Sequence, residues 1–209
     1  MDKPSLILIG AGGHARACID VIEHLGAFNI AGLIGAEEQL QDELMGYPVI
    51  GTDIDLPELA KKYQYVLIAV GQIESPLVRQ SLYQQVIQLG FKLPAIISSN
   101  AHVSRHAVVG DGTIVMHGAI VNANAKVGSN CIINNKALIE HDATIGDHCH
   151  ISTGVIINGA ANIGPGSFVG SGSVIKQGIT LGSHCLVGMV VAVRHHHGNN
   201  SRILISNKL

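Results

Sequence analysis

Residues 127–162 read VGSNCI INNKAL IEHDAT IGDHCH ISTGVI INGAAN, six hexapeptides that each open on Ile or Val. The phase continues in both directions: from Val103 to Val193 all sixteen residues at six-residue spacing are Ile, Leu or Val. A period held over that length is structural. Four residues after nearly all of these large aliphatics stands a small side chain: Ala107, Thr113, Ala119, Ala125, Cys131, Ala137, Ala143 and Cys149 in succession. This alternation fits a β-solenoid in which each hexapeptide makes one short flat side and a corner. Three hexapeptides then close an eighteen-residue triangular coil around stacked aliphatics.

The repeat fills about half of the 209 residues, so two domains are expected: an α/β domain over 1–97 and the solenoid over 98–209. Net charge is −2 and 13% of residues are charged. That leaves no basic field for nucleic acid and no polybasic patch for a membrane surface. No apolar run reaches the length of a bilayer span, and MDKPSLILIG enters a strand without a cleavage region, so a cytoplasmic protein is expected. Cys131, Cys149 and Cys185 share the small inward column and read as core thiols rather than disulfide partners.

In the N-terminal half, Ser5 to Ile9 is an apolar strand, Gly10-Ala-Gly-Gly-His-Ala15 a glycine turn, and Arg16 to Leu25 a helix. Glycines at Gly10, Gly12 and Gly13 suit a backbone that approaches a phosphate at a helix N-terminus. The same turn also serves close strand-to-helix packing, or a redox dinucleotide. The last would require an acid after the second strand, and Ile30–Ile34 instead runs into Gly35-Ala36. Strands at Val49–Gly51, Tyr65–Val70 and Lys92–Ile97, with helices starting near Leu56 and spanning Ser75–Leu89, complete a small parallel α/β fold.

Of twelve histidines, His117, His141, His148, His150 and His195–His197 crowd toward the ends of the solenoid sides. His141 follows inward Ile139 by two and is flanked by Glu140 and Asp142, carboxylates able to fix its tautomer and raise its basicity. Gly159, eighteen residues on, is expected directly above it, with a backbone N–H available to an oxyanion. The alternative is a solvated turn histidine. His148 and His150, or the run His195–His197, are a weak zinc signal because no third partner is fixed, and no metal is expected. The His195–His197 run, where the repeat ends, reads as a polar terminal coil or a cap.

The Gly10–His14 turn, Ala69-Val-Gly71, Gly90-Phe-Lys-Leu-Pro94 and the stretch Asn134–His150, in this order, resemble the bacterial sugar acetyltransferases of the hexapeptide-repeat superfamily, which include sialic acid O-acetyltransferases and bacillosamine-pathway N-acetyltransferases. The resemblance implies a left-handed parallel β-helix behind a Rossmann-like domain, acetyl-CoA as cosubstrate, a homotrimer, and a UDP-linked amino sugar as acceptor. It implies His141 as base, Asp142 as its orienting acid and Gly159 as oxyanion donor. Gly10, Gly12, Gly13, His14 and Asn134 would hold the substrate, and His150, Gly154, Gly159, Gly172 and Ile175 the acetyl-CoA. Two departures stand out: Gly35-Ala36-Glu37-Glu38 where nucleotide-sugar enzymes carry aspartates, and Arg194-His-His-His-Gly-Asn-Asn200 where the family has a different tail. O-acetylation of a sialic-acid-like sugar and a non-catalytic trimeric scaffold are the alternatives.

Overall fold

The computed structural model describes residues 3–205; residues 1–2 and 206–209, the outer ends of the two expected domains, lie outside the described part. The N-terminal sheet has strand order β3-β4-β2-β1-β5, with β1 Ser5–Ile9, β2 Asn29–Ile34, β3 Glu43–Leu44, β4 Tyr47–Gly51 and β5 Tyr65–Ile68. All pairs are parallel except the β3–β4 edge. The central position of β1 explains its continuous apolar run, since Leu6, Ile7, Leu8 and Ile9 are buried on both faces. Helix α1, Gly13–Leu25, covers one face, and α2, Leu56–Leu59, with α3, Leu77–Gln88, covers the other. The expected strand at 92–97 is divided. Lys92 makes a single bridge to Tyr65, while β6, Ile96–Ile97, pairs with Ile114–Val115 of the solenoid. Pro94 between them has no N–H to continue a ladder.

The solenoid is a left-handed parallel β-helix. Two-residue strands recur every six residues and pair parallel at a register of eighteen, as Ile139 with Ile157 and Ile157 with Ile175. Every aliphatic of the repeat from Val115 to Val193 is at most 2% exposed. One corner of the small column is Thr113, Cys131, Cys149, Ser167 and Cys185. Their O–H or S–H groups donate to the carbonyls of Gly128, Gly146, Gly164, Gly182 and Gly198, so the donors are paired inside the stack. All four cysteines are free and buried. A left-handed residue turns each corner, recurring every six residues from Gly112 through Asn124, Lys136, Asp142 and Gly154 to Val190. The histidine run forms the last coil, with His197 bridging to Leu181 and Arg202–Ile203 pairing with Leu186–Val187.

The three outer faces differ. Ile96, Ile114 and Ile132 lie under α1 and are fully buried, which joins the two domains through one core. Val108, Lys126, Thr144, Asn162 and Thr180 make a mostly polar face. The third face carries an aliphatic stripe of Ile120, Leu138, Ile156, Val174 and Ala192 that no element among the described residues covers.

Candidate active site

His141 sits at the corner between the aliphatic and polar faces, just before Asp142, which turns that corner at φ 61°. Its Nδ1–H donates to Asp142 Oδ2 at 2.8 Å, so the neutral ring carries its lone pair on Nε2. The Asp142 hydrogen bond raises the His141 pKa above the usual 6.5, with Asp142 and Glu140 charges adding to it. Gly159 lies against the ring as expected: a Cβ there would stand 2.8 Å from both Cε1 and Nε2. The Gly159 N–H donates to no group of the described chain, while its carbonyl accepts from Gly178 N–H. His141, Asp142 and a Gly159 N–H with no acceptor among the described residues therefore meet at one corner. The two flanking carboxylates, equivalent in the sequence, are separated here. Glu140 Oε2 accepts from Asn122 Nδ2 and from the His141 backbone N–H, leaving Asp142 as the ring's partner.

A second cluster occupies the next corner of the same coils, against the N-terminal domain. His150 Nδ1–H donates to the Gln72 carbonyl at 2.6 Å, and its Nε2 accepts from Asn134 Nδ2 at 3.2 Å. Burial drives the His150 pKa down to about 4, so the ring is neutral and both nitrogens are engaged. The Asn134 amide is fixed at its other end, since Oδ1 accepts from Asn135 N–H. His14 joins this seam from the glycine turn. Burial, with the Arg79 and His150 charges, lowers its pKa to about 3, and its buried Nε2 has no partner among the described residues. Arg79, 1% exposed, donates to the carbonyls of Ile68, Val70 and Asn130 and to Asn130 Oδ1, tying the end of β5 to the solenoid. Gln72, Arg79, Asn122, Asn124 and Asn130 carry no local motif. Only the register of eighteen, applied below Glu140 and Asp142, could have pointed to Asn122 and Asn124.

The glycine turn divides by role. Gly10, at φ +118°, packs a Cβ's width from the Ala69 backbone, which is the packing function. Gly12 and Gly13 have nothing within 4 Å of where a Cβ would be, so packing does not explain them. Gly12 caps the N-terminus of the thirteen-residue α1 with no side-chain cap and no acid in the first turn. Beyond β2 and β4, Gly35, Ala36, Glu37, Thr52, Asp53 and Asp55 border a hollow of about 420 Å³.

Above Gly159 the His141 corner continues as Gln177 and His195, and the Asn158 position as Lys176 and Arg194. These residues with Val174 and Ala192 line a groove of about 810 Å³ that contains no acid. Gly154 and Gly172 turn the opposite edge of the aliphatic face in left-handed conformation, and the Ile175 side chain is buried, leaving only its backbone to face out. Among the described residues no three or more His, Cys, Asp or Glu converge to hold a metal. His148 and His150 bond instead to Asn130 and to Gln72.

An α/β domain built onto a hexapeptide solenoid, with a tautomer-fixed imidazole at a corner, defines a hexapeptide-repeat acyltransferase. Residues 5–86 match the PglD N-terminal domain, and residues 106–141 and 124–159 match the bacterial transferase hexapeptide. Perosamine N-acetyltransferase from Caulobacter crescentus, a histidine-to-asparagine mutant in complex with CoA and GDP-perosamine, is 30% identical with a TM-score of 0.86 over 93% of this chain and 90% of that one. The acetyltransferase domain of PglB from Neisseria gonorrhoeae, in complex with acetyl coenzyme A, is 29% identical with a TM-score of 0.89 over 97% of both chains. WeeI from Acinetobacter baumannii, 21% identical with a TM-score of 0.83 over 95% of both, shares the fold. The chain belongs to the bacterial sugar acetyltransferase family that joins a PglD N-terminal domain to a hexapeptide-repeat transferase domain.

Proposed function

We propose that this protein is an acetyl-CoA-dependent N-acetyltransferase that acts on the 4-amino group of a UDP-linked amino-dideoxy sugar, in bacterial glycan precursor synthesis. The observation that carries the reading is the His141 corner: Nδ1 held by Asp142, Nε2 without a partner among the described residues, and Gly159 against the ring with an N–H that donates to no described group. The amine attacks the thioester carbonyl as His141 Nε2 takes its proton. The tetrahedral oxyanion accepts from Gly159 N–H and collapses with departure of the CoA thiolate, which takes the proton from His141 and restores the neutral imidazole. The acid-free groove with Lys176, Arg194 and His195 continues the same corner, a reasonable seat for the CoA phosphates. Gly154, Gly172 and the Ile175 backbone, across the aliphatic face, are the proposed pantetheine contacts.

The acceptor end is proposed at Asn134 and His14, with phosphates at Gly12 and Gly13, whose uncapped helix N-terminus favours anions. The Asn134–His150 corner and the His141 corner stand on opposite edges of one solenoid face, separated by at most about 25 Å of extended chain. A homotrimer closes that gap. The uncovered stripe of Ile120, Leu138, Ile156, Val174 and Ala192 lies between the two corners and is apolar enough to pack against another copy. His150 of one copy then stands near the acetyl group brought by the next. A cytoplasmic location goes with nucleotide sugars and acetyl-CoA as reactants. Among the described residues no helix is long and apolar enough to cross a membrane.

The test is thiol release and product mass with acetyl-CoA and, separately, a UDP-4-amino-dideoxy sugar, its GDP counterpart and a sialic acid. Release with a mass gain of one acetyl group on the UDP sugar supports the proposal. Gain on the GDP sugar alone changes the nucleotide, and gain on the sialic acid alone makes the enzyme an O-acetyltransferase. No release with any of the three, and no rise in melting temperature with acetyl-CoA, favours the scaffold.

A further inference from the structure

The coil beneath His141 repeats its corner eighteen residues earlier, so Asn122, Ala123 and Asn124 stand under Glu140, His141 and Asp142. Asn124 Nδ2 donates to Asp142 Oδ1 at 2.6 Å, and Asp142 Oδ2 accepts from His141 Nδ1–H at 2.8 Å. Asn122 Nδ2 donates to Glu140 Oε2 at 2.9 Å. At the His141 position the coil below carries Ala123 and the coil above carries Gly159, both small. We infer that Asn124 is a positioning residue for His141, holding one Asp142 oxygen so that the other stays on the ring, and that Asn122 holds Glu140 out of competition.

The need for an anchor follows from exposure. The Asp142 side chain is half exposed, and a carboxylate on an open corner rotates and trades its partners for water. A hydrogen bond from a neighbouring coil removes that freedom, because the coil spacing is set by the ladder and not by the side chain. In the same sense, the Asn124 amide is the first cause that lowers the Asp142 pKa, ahead of His141 itself. The competing explanation is that Asn is present only because it tolerates the left-handed corner, where Asn124 has φ 61°. Glycine meets that requirement at Gly112, Gly118, Gly154, Gly166, Gly172 and Gly178. Replacing Asn124 by Gly therefore removes the amide and keeps the backbone.

The inference rests on His141 as the base, and the experiment separates the two. In the full-length protein, the His141 imidazole is titrated by NMR in wild type, Asn124→Gly and Asn124→Asp, while kcat and both KM values are followed against pH. The titratable groups facing the ring are Asp142 and Glu140. Asn124→Gly frees Asp142, so the His141 midpoint falls and the acid limb of the rate profile moves to lower pH. The kcat plateau drops about tenfold with KM within about twofold. Asn124→Asp adds a negative charge beside the pair and moves the midpoint the opposite way. A His141 midpoint unchanged in Asn124→Gly overturns the inference, whatever the added charge of Asn124→Asp does. His141→Asn serves as the control: if it keeps most of its turnover, the base reading fails, while the titration still decides whether Asn124 governs the imidazole.

Discussion

Gly159→Ala separates a placed base from a solvent-facing histidine. The added methyl would lie 2.8 Å from Cε1 and Nε2 of His141 and 3.4 Å from Nδ1, where carbon contacts settle at about 3.5–4.0 Å. Gly159 does not use the left-handed region, so Ala is allowed there and reduces the entropy of the unfolded chain. The imidazole is 59% exposed on its outer side and yields by swinging toward water rather than by forcing the coil apart. Folding stability is therefore expected to stay level or rise by about 0.4–1 kcal/mol, a melting temperature up by roughly 1–4 °C at this chain length. Catalysis moves the other way. The ring must shift by about 1 Å, which strains its bond to Asp142 and carries Nε2 away from the reacting nitrogen. Such a displacement costs about 100-fold in kcat. The assay is acetyl-CoA thiol release under saturating acceptor, paired with thermal unfolding of the same sample. Near-wild-type kcat in the Ala variant, or activity lost only in step with unfolding, would refute the geometry.

Lys176→Ala and Arg194→Ala should each raise the KM for acetyl-CoA several-fold to about tenfold with little change in kcat. Both should lose the preference of wild type for acetyl-CoA over acetyl-pantetheine, which lacks the phosphates; unchanged discrimination would place the phosphates elsewhere. His14 and His150 are held neutral in the fold at pKa values of about 3 and 4, whereas the unfolded chain protonates them near 6.5. Both pKa values are depressed, so their stability is full above about pH 6.5 and is lost as pH falls. For His150 the loss reaches about 3 kcal/mol by pH 4. Denaturant midpoints that stay flat between pH 6.5 and 4.5 would contradict this. Val190 is a β-branched residue at φ 56° and 68% exposed, so Val190→Gly should stabilise the last coils by about 1 kcal/mol, read as a higher unfolding midpoint.

The solenoid was legible because a stacked coil imposes one requirement at every sixth residue, and a requirement repeated sixteen times leaves its mark in any single sequence. The same register placed Gly159 over His141 and assigned the cysteines to the core. The strand expected at 92–97 failed for a local reason, since Pro94 halts the ladder and Ile96–Ile97 pairs with Ile114–Val115 rather than with β5. At the glycine turn the sequence left packing and ligand approach open. The structure assigns Gly10 to packing, and Gly12 and Gly13 to open space.

What the sequence determined by itself was periodic or contiguous: the repeat, the coil length, the strand–turn–helix at the start, and the adjacency of His141 to its two acids. Which acid holds the ring was decided only in three dimensions, because the choice is made by Asn122 and Asn124 from another coil. The same is true of the seam in which Gln72, Arg79, Asn130 and His150 bind the domains together across 51 to 78 residues of chain. A periodic core repeats its signal and can be read in one dimension. A polar contact between distant segments occurs once, with residue types that are common everywhere, and becomes visible only when the fold brings its partners within hydrogen-bond reach.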